Sequence, residues 1–226
     1  MINKEPSNEF IRIDQHSYSI PEEARVTHLE LILNLDFNTK TIRAEAVYDL
    51  QLHKDAEKII FDTRDLNIES VSVKSKQHPE DLLYLKPKWK KVNFSYGEEF
   101  EEFGKALNIP LSNKAEKVKI KYSTSSEAAA LQWLSSEQTK GGRYPFLFTQ
   151  SQAILARTWL PCQDSPGIRM TYNAKVKVPK GMLAVMSASN SQVTSEDGYY
   201  SFEMSQPIPS YLMALAAGDL AFDTIG

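Results

Sequence analysis

The amino-acid sequence predicts an all-β protein with the architecture of a sandwich or saddle. Apolar and polar residues alternate with a period of two along several segments, which is the pattern of a half-buried strand. Residues typical of turns interrupt the chain about every ten residues. No segment longer than about two helical turns carries an apolar stripe with helical spacing, so little helix is expected.

The first strand signal along the chain is a long hairpin. From Val26, apolar residues alternate with polar ones as far as Phe37, and residues 38–40 (Asn-Thr-Lys) then supply turn chemistry. A second alternating run begins at Ile42 and ends at Leu52. Two alternating runs joined by a short polar turn predict a pair of antiparallel strands.

Shorter strand patterns follow along the rest of the chain. They occupy residues 58–61, 68–73, 92–96, 118–122, 144–152, 171–178, 183–187, 199–204 and 211–220. The composition of the last segment would also suit a helix, but the prolines before it and the glycine within it favour a buried strand. Residues 131–134 and 153–157 are expected to form one-turn helices or irregular loops.

Three further segments are distinguished by composition. The acidic run at residues 97–102 (Gly-Glu-Glu-Phe-Glu-Glu) is interpreted as a solvated loop rather than an ion or partner site. Gly141 and Gly142 are expected to form a flexible loop that joins two subregions. Residues 1–25 are mixed and polar and are interpreted as a lead-in, which leaves residues 26–226 as one β-sandwich domain.

Composition and charge exclude several classes of protein. The chain has 226 residues, 42% hydrophobic and 24% charged, which is close to the globular average. With 26 basic and 29 acidic residues the net charge is −3, so overall charge does not favour nucleic acid as a partner. No run of roughly 18 apolar residues predicts a membrane span, and the polar N-terminus lacks a signal-peptide core. We therefore expect a cytoplasmic location, although a signal segment trimmed from the sequence would leave no trace.

The usual sequence marks of a catalytic metal or nucleophile are missing. Cys162 is the only cysteine, so the chain can close no internal disulfide and build no multi-cysteine metal site. The four histidines lie far apart in sequence, and none belongs to a His-Glu-x-x-His motif. Because no histidine is near Cys162 in sequence, a buried, inert thiol is its expected state. A hydrolase that uses two carboxylates from distant parts of the chain stays open as an alternative.

One polar pattern, in the strand predicted at residues 144–152, is compatible with ligand binding. Gln150 and Gln152 are two residues apart, so in a strand both side-chain amides project from the same face. They form either the outward polar face of an edge strand or a pair of amide carbonyls directed at a cationic or polar ligand group. Arg157 and Asp164 are expected to form an internal ion pair or to act as loop anchors.

The motifs in this part of the chain also carry a family resemblance. Residues 150–152, 153–157 and 161–166 read Gln-x-Gln, Ala-x-x-x-Arg and Pro-Cys-Gln-Asp-x-Pro. In these motifs the sequence resembles the N-terminal domain of zinc aminopeptidases of the aminopeptidase N type (family M1, gluzincins). It is most similar to their leukotriene A(4) hydrolase branch, which has Gln-x-Gln where most of the family has Gln-x-Glu. Further similarity covers residues 26–52, 62–66, 130–134, 137–139 and 209–212.

The resemblance implies a fold and a role. The fold is an all-β, saddle-like sandwich of mixed and antiparallel sheets. The role is that of a non-catalytic N-terminal domain, which forms one wall of the cleft in a longer enzyme that removes N-terminal amino acids from peptides. Gln152 first, and Gln150 second, would contact the α-ammonium of the substrate. The implied partners are the peptide N-terminus and the enzyme's own C-terminal catalytic domain, with no nucleic acid and no membrane.

The resemblance also implies what this chain lacks. In the family, zinc is held in the catalytic domain by His-Glu-x-x-His and a later Glu, and a Gly-x-Met-Glu-Asn segment precedes them. None of these motifs occurs in the sequence. We therefore expect no catalytic residue, metal ligand or cofactor in this chain, and no hydrolysis by the chain alone. The alternative is a stand-alone β-sandwich binding module without a catalytic role.

Overall fold

The computed structural model describes residues 14–76, 89–190 and 193–223. Within these ranges the chain forms fourteen strands and three 3₁₀ helices of three residues each, which confirms the all-β prediction. The strands are β1 (Ala24–Asp36), β2 (Thr41–Leu52), β3 (Lys58–Thr63), β4 (Asn67–Ser75), β5 (Lys90–Val92), β6 (Ser95–Phe100), β7 (Gly104–Pro110), β8 (Ala115–Ser123), β9 (Leu131–Leu134), β10 (Phe146–Thr149), β11 (Arg169–Lys177), β12 (Leu183–Met186), β13 (Tyr199–Pro209) and β14 (Leu215–Gly218). The 3₁₀ helices are η1 (Ser136–Gln138), η2 (Ala156–Thr158) and η3 (Ser210–Leu212).

The largest sheet has seven strands in the order β13-β11-β1-β2-β8-β4-β5. The predicted hairpin is confirmed as β1 and β2, which pair along their whole length. A β-bulge after Val26 lets both Val26 and Leu29 face inward, although they are three residues apart. Strand β11 lies parallel to β1 and the other pairs in this sheet are antiparallel, so the sheet is mixed, as expected.

A three-stranded sheet, in the order β3-β7-β6, corrects three expectations. Strand β7 was not predicted. The single strand expected at residues 92–96 is instead two strands, because β5 pairs with β4 of the large sheet whereas β6 pairs with β7. The acidic run at residues 97–102 is not a loop throughout: residues 97–100 belong to β6, whose side chains are all exposed and whose backbone pairs with β7.

A four-stranded sheet, in the order β12-β14-β10-β9, corrects the expectation for residues 131–134, which form strand β9 rather than a helical turn or loop. The segment at residues 211–220 is partly η3 and partly β14, because the chain turns before it can pair with β10 and β12. Gly141 and Gly142, both with positive φ, lie between two neighbouring strands of this sheet, so they do not join separate subregions.

The inward side chains of the three sheets belong to one hydrophobic core. Leu29 from the seven-stranded sheet, Phe61 from the three-stranded sheet and Leu147 from the four-stranded sheet are all fully buried in it. The Tyr48 ring packs against Phe61 with their centroids 4.7 Å apart. This shared core fixes the segment between β10 and β11, which runs past all three sheets and carries the candidate site.

Candidate functional site

The two glutamines lie in the loop after β10 rather than in a strand. Strand β10 ends at Thr149, so the prediction of a strand through residue 152 is wrong. The reason is local: the Gln152 backbone N–H donates to the side-chain oxygen Oε1 of Gln150, 3.1 Å away, and not to a neighbouring strand. The two amides therefore do not share the face of a strand. Both side chains are nevertheless exposed, as a binding role requires.

Ser151, between the two glutamines, points the opposite way and anchors the loop. Its side chain is buried, and its Oγ accepts a hydrogen bond of 3.0 Å from Nε1 of the fully buried Trp159. The same hydroxyl lies 3.5 Å from the carbonyl oxygen of Met213, to which it donates. Because the Ser151 side chain is anchored in the interior, Gln150 and Gln152 on either side of it are directed outward.

A second anchor fixes the start of the loop to the segment that follows it. The Gln150 N–H donates to the Ala130 carbonyl oxygen at 2.9 Å. The Ala130 N–H donates in turn to Oγ1 of Thr158 in η2 at 3.0 Å. Because Ala130 and Thr158 are buried, these bonds are shielded from water. The loop is therefore attached through buried contacts to Ala130, the residue before β9, and through it to η2.

Helix η2 also carries a buried charge, that of Arg157. The Arg157 side chain is completely buried, and its Nε donates to Oδ2 of Asp164 at 3.1 Å, which confirms the predicted internal ion pair. Its two terminal nitrogens donate to the carbonyl oxygens of Phe103 (2.9 Å) and His16 (2.7 Å). Ser210 donates to the other carboxylate oxygen of Asp164 at 2.6 Å.

Asp62 is the third member of this buried charge cluster, and sequence reasoning gave it no role. Its Oδ2 lies 3.9 Å from the Arg157 guanidinium and accepts hydrogen bonds from Ser17 Oγ (2.6 Å) and the Asp164 N–H (2.8 Å). Its Oδ1 accepts the Tyr18 N–H at 2.7 Å. Burial raises the pKa of the Asp62 carboxyl, against the opposing effect of Arg157 and these hydrogen bonds. The sequence signals were an aspartate directly after the apolar residues of β3 and the family similarity of residues 62–66.

The Pro-Cys-Gln-Asp motif joins two of the sheets. Cys162 forms an isolated bridge with Asp62, with N–H to oxygen distances of 2.7 and 3.3 Å. The Gln163 side chain accepts the Val26 N–H at 2.9 Å and donates to the Ala24 carbonyl oxygen at 2.8 Å. It thereby pairs with the part of β1 that β11 does not reach. Cys162 and Gln163 therefore each have a structural function.

The Cys162 thiol is buried, as expected. Burial and the nearby carboxylates of Asp164 and Asp62 raise the pKa of the thiol well above its ordinary value, so it stays protonated at neutral pH. No group of three or more histidine, cysteine, aspartate or glutamate side chains in the described ranges could hold a metal ion. Among the same residues, no helix has the length and apolar character that crossing a membrane requires.

The domain is all-β and saddle-like, with sheets of seven, four and three strands around one core. Its amide-bearing loop is fixed above a buried charge cluster. Residues 25–212 match the family model described as "Peptidase M1 N-terminal domain", and the chain belongs to this family. This match bears out the resemblance on which the site residues were chosen.

Curated relatives and solved structures agree with this assignment. The chain is 34% identical to leukotriene A-4 hydrolase from Xenopus laevis, over 94% of this chain and 34% of that protein. It is 34% identical to leucine aminopeptidase 2-2 from Scheffersomyces stipitis, over 95% of this chain and 31% of that protein. The structure of native leukotriene A4 hydrolase from Saccharomyces cerevisiae superposes with a TM-score of 0.82 at 30% identity, covering 98% of this chain and 33% of that one. The chain thus spans about a third of the length of these relatives.

Proposed function

We propose that this chain is the wall of a peptide-binding cleft in a longer aminopeptidase, where it binds the α-ammonium group of the substrate. One observation carries the proposal: the exposed Gln152 amide, within the described residues, has no hydrogen-bond partner, although the loop that bears it is held by buried contacts. An amide oxygen can accept a charge-assisted hydrogen bond from an ammonium without carrying a charge itself.

The buried anchors support this proposal because they reduce the cost of ordering a binding loop. A binding group that is already held in place loses less conformational entropy when a ligand arrives. Ser151 and its partner Trp159 hold the centre of the loop, and Thr158 holds its start through Ala130. Arg157 fixes η2, which contains Thr158 and directly precedes Trp159. The binding amide is thus supported by buried polar contacts.

An exposed apolar surface beside the loop supports the role of a cleft wall. Phe148 lies on the outer face of β10, is 37% exposed and stacks on the half-buried Phe146, with ring centroids 5.6 Å apart. Leu212 in η3 is 48% exposed. Exposed apolar groups of this kind are typical of surfaces that contact another protein unit. We infer that the remaining two thirds of an aminopeptidase of the relatives' length would pack here, next to Gln152.

Among the described residues, no group of three or more histidine, cysteine, aspartate or glutamate side chains is arranged to hold a metal ion. We propose that the metal belongs to the catalytic domain of the longer enzyme. The contribution of this chain is then to hold the substrate amine at a fixed distance from the reacting bond, which restricts hydrolysis to the first residue of a peptide. The cytoplasmic location expected from the sequence stays a prediction.

Replacing Gln152 with Ala in the longer enzyme tests the proposed function. We expect kcat/KM for an aminoacyl anilide to fall, because one hydrogen bond to a charged group is lost. The fall corresponds to a loss of about 1–3 kcal/mol of transition-state binding. Gln51→Ala is the matched control, because Gln51 is an exposed residue of β2 outside the candidate site. An unchanged kcat/KM in a folded Gln152→Ala enzyme would make Gln152 an ordinary surface residue and refute the proposal.

A further inference from the structure

The segment before β1 is held by the buried charge cluster rather than by a sheet. Residues 14–19, which we call the strap, belong to no strand or helix. The Asp62 carboxylate accepts three hydrogen bonds from described residues, and two of them come from the strap. Ser17 Oγ donates to Oδ2 at 2.6 Å, and the Tyr18 N–H donates to Oδ1 at 2.7 Å. The strap therefore supplies most of the donors to this buried carboxylate.

The strap also contacts the positive charge of the cluster. Nη2 of Arg157 donates to the His16 carbonyl oxygen at 2.7 Å. The His16 side chain is 63% exposed, whereas the side chains of Asp62 and Arg157 are fully buried. One side of the strap thus faces water, and the other side bonds to buried charges. Because the strap belongs to no sheet, it can open without breaking a strand pairing.

Arg157 connects the strap to the amide-bearing loop, which follows β10. It lies in η2, beside the two residues that anchor this loop. Thr158 holds the Gln150 backbone through Ala130, and Trp159 holds Ser151. Opening of the strap would take one acceptor from the buried guanidinium and admit water to it. The attachment of η2, and with it that of the loop, would then weaken.

We propose that the strap is a conformational device that controls the order of the amide-bearing loop. When the strap is docked, the guanidinium keeps all its acceptors and η2 holds the loop. When the strap is open, η2 loosens and the loop opens more often. Coupling between two equilibria is reciprocal, so a loss of order in the loop must also favour opening of the strap. The proposal is independent of what the loop binds.

Two substitutions weaken the two ends of this connection separately. Ser17→Ala removes the hydroxyl that donates to Asp62, and Ser17→Thr retains it. Ser151→Ala removes the hydroxyl that accepts the indole N–H of Trp159. Ile120→Val is the matched control, because it removes a buried methylene from β8 and lowers the stability of the whole domain without touching the strap or the loop.

Amide hydrogen exchange, followed residue by residue by NMR in the 226-residue chain, measures both equilibria. The Tyr18 N–H is bound by Asp62, so its exchange rate reports opening of the strap. The Leu155 N–H donates to the Ser151 carbonyl oxygen at 2.9 Å, so its exchange rate reports opening of the loop.

The expected results follow from the loss of one hydrogen bond at either end. Ser17→Ala should accelerate exchange about five- to tenfold at Tyr18 and about two- to fivefold at Leu155. By reciprocity, Ser151→Ala should accelerate exchange at Tyr18 by about two- to fivefold. Ser17→Thr and Ile120→Val should leave both rates unchanged, the first because the hydroxyl remains and the second because both amides exchange through local openings.

Three results would overturn the proposal. If Ser17→Ala accelerates exchange at Tyr18 but not at Leu155, the strap is a local clamp that does not control the loop. If Ile120→Val accelerates exchange at Leu155 as much as Ser17→Ala does, the loop opens only together with the whole domain. If exchange at Tyr18 is unchanged in Ser17→Ala, the hydroxyl does not hold the strap on the charge cluster.

Discussion

Replacing Arg157 with Met is expected to lower the free energy of unfolding by about 3–5 kcal/mol, because it leaves buried carboxylates without their counter-charge. Met has a similar length but no charge, so Asp62 and Asp164 would remain in the interior with only their hydrogen-bond donors. The carbonyl oxygens of His16 and Phe103 would also lose a donor. Urea denaturation followed by circular dichroism measures the loss.

The loss of unfolding free energy in Arg157→Met should increase with pH. Burial already raises the Asp62 pKa above its ordinary value of 3.8, and without the opposing effect of the guanidinium this pKa rises further. A carboxyl with a raised folded-state pKa favours folding only while protonated, so the deficit should be smallest near pH 4 and grow toward pH 7. Arg169→Met, at an exposed position on β11, is the control. Equal stability of both variants at pH 7 would show that the cluster is not an important determinant of the fold.

The 226-residue chain alone is expected to show no hydrolysis of an aminoacyl anilide. The exposed groups at the candidate site are the neutral amides of Gln150 and Gln152, which do not transfer protons at neutral pH. Arg157 and Asp164, in the segment that follows, are buried in mutual contact. Release of the chromophore is measured with added zinc, with and without a chelator, beside the longer enzyme at equal concentration.

A contaminating peptidase is the main source of false activity in that assay, and Gln152→Ala in the same chain identifies it. Turnover that persists in this variant does not come from the site. If the purified chain shows chelator-sensitive turnover and Gln152→Ala abolishes it, the expectation is wrong. The chain is then an enzyme by itself.

Sequence reasoning located most strands because one face of each is buried. In β1 the inward residues alternate strictly with exposed ones on either side of the bulge, and the pattern is therefore visible in the sequence. In β6 every side chain is exposed, and in β9 only Leu131 is fully buried, so neither strand has an alternating signal. These strands exist because the next strands along the chain, β7 and β10, supply their hydrogen-bond partners, and backbone pairing leaves no mark in the side-chain pattern.

The candidate site was predictable only in part. The family resemblance gave Gln150 and Gln152, and the Arg157–Asp164 pair followed from charges seven residues apart in one segment. The role of Asp62 was not visible, because its partner Arg157 lies 95 positions away in the printed sequence and meets it only when β3 packs against η2. The turn between Gln150 and Gln152 was missed because a strand was expected there, and a side chain took the place of the strand partner.

The most direct test of the account is a crystal structure of the longer enzyme with a bound ligand that has a free α-amine. We expect the Gln152 side-chain oxygen to lie about 3 Å from the amine nitrogen. We also expect the Gln150 oxygen to keep its contact with the Gln152 N–H. An amine bound entirely by other residues, with the Gln152 amide in solvent, would contradict the assignment of this chain as the amine-binding wall.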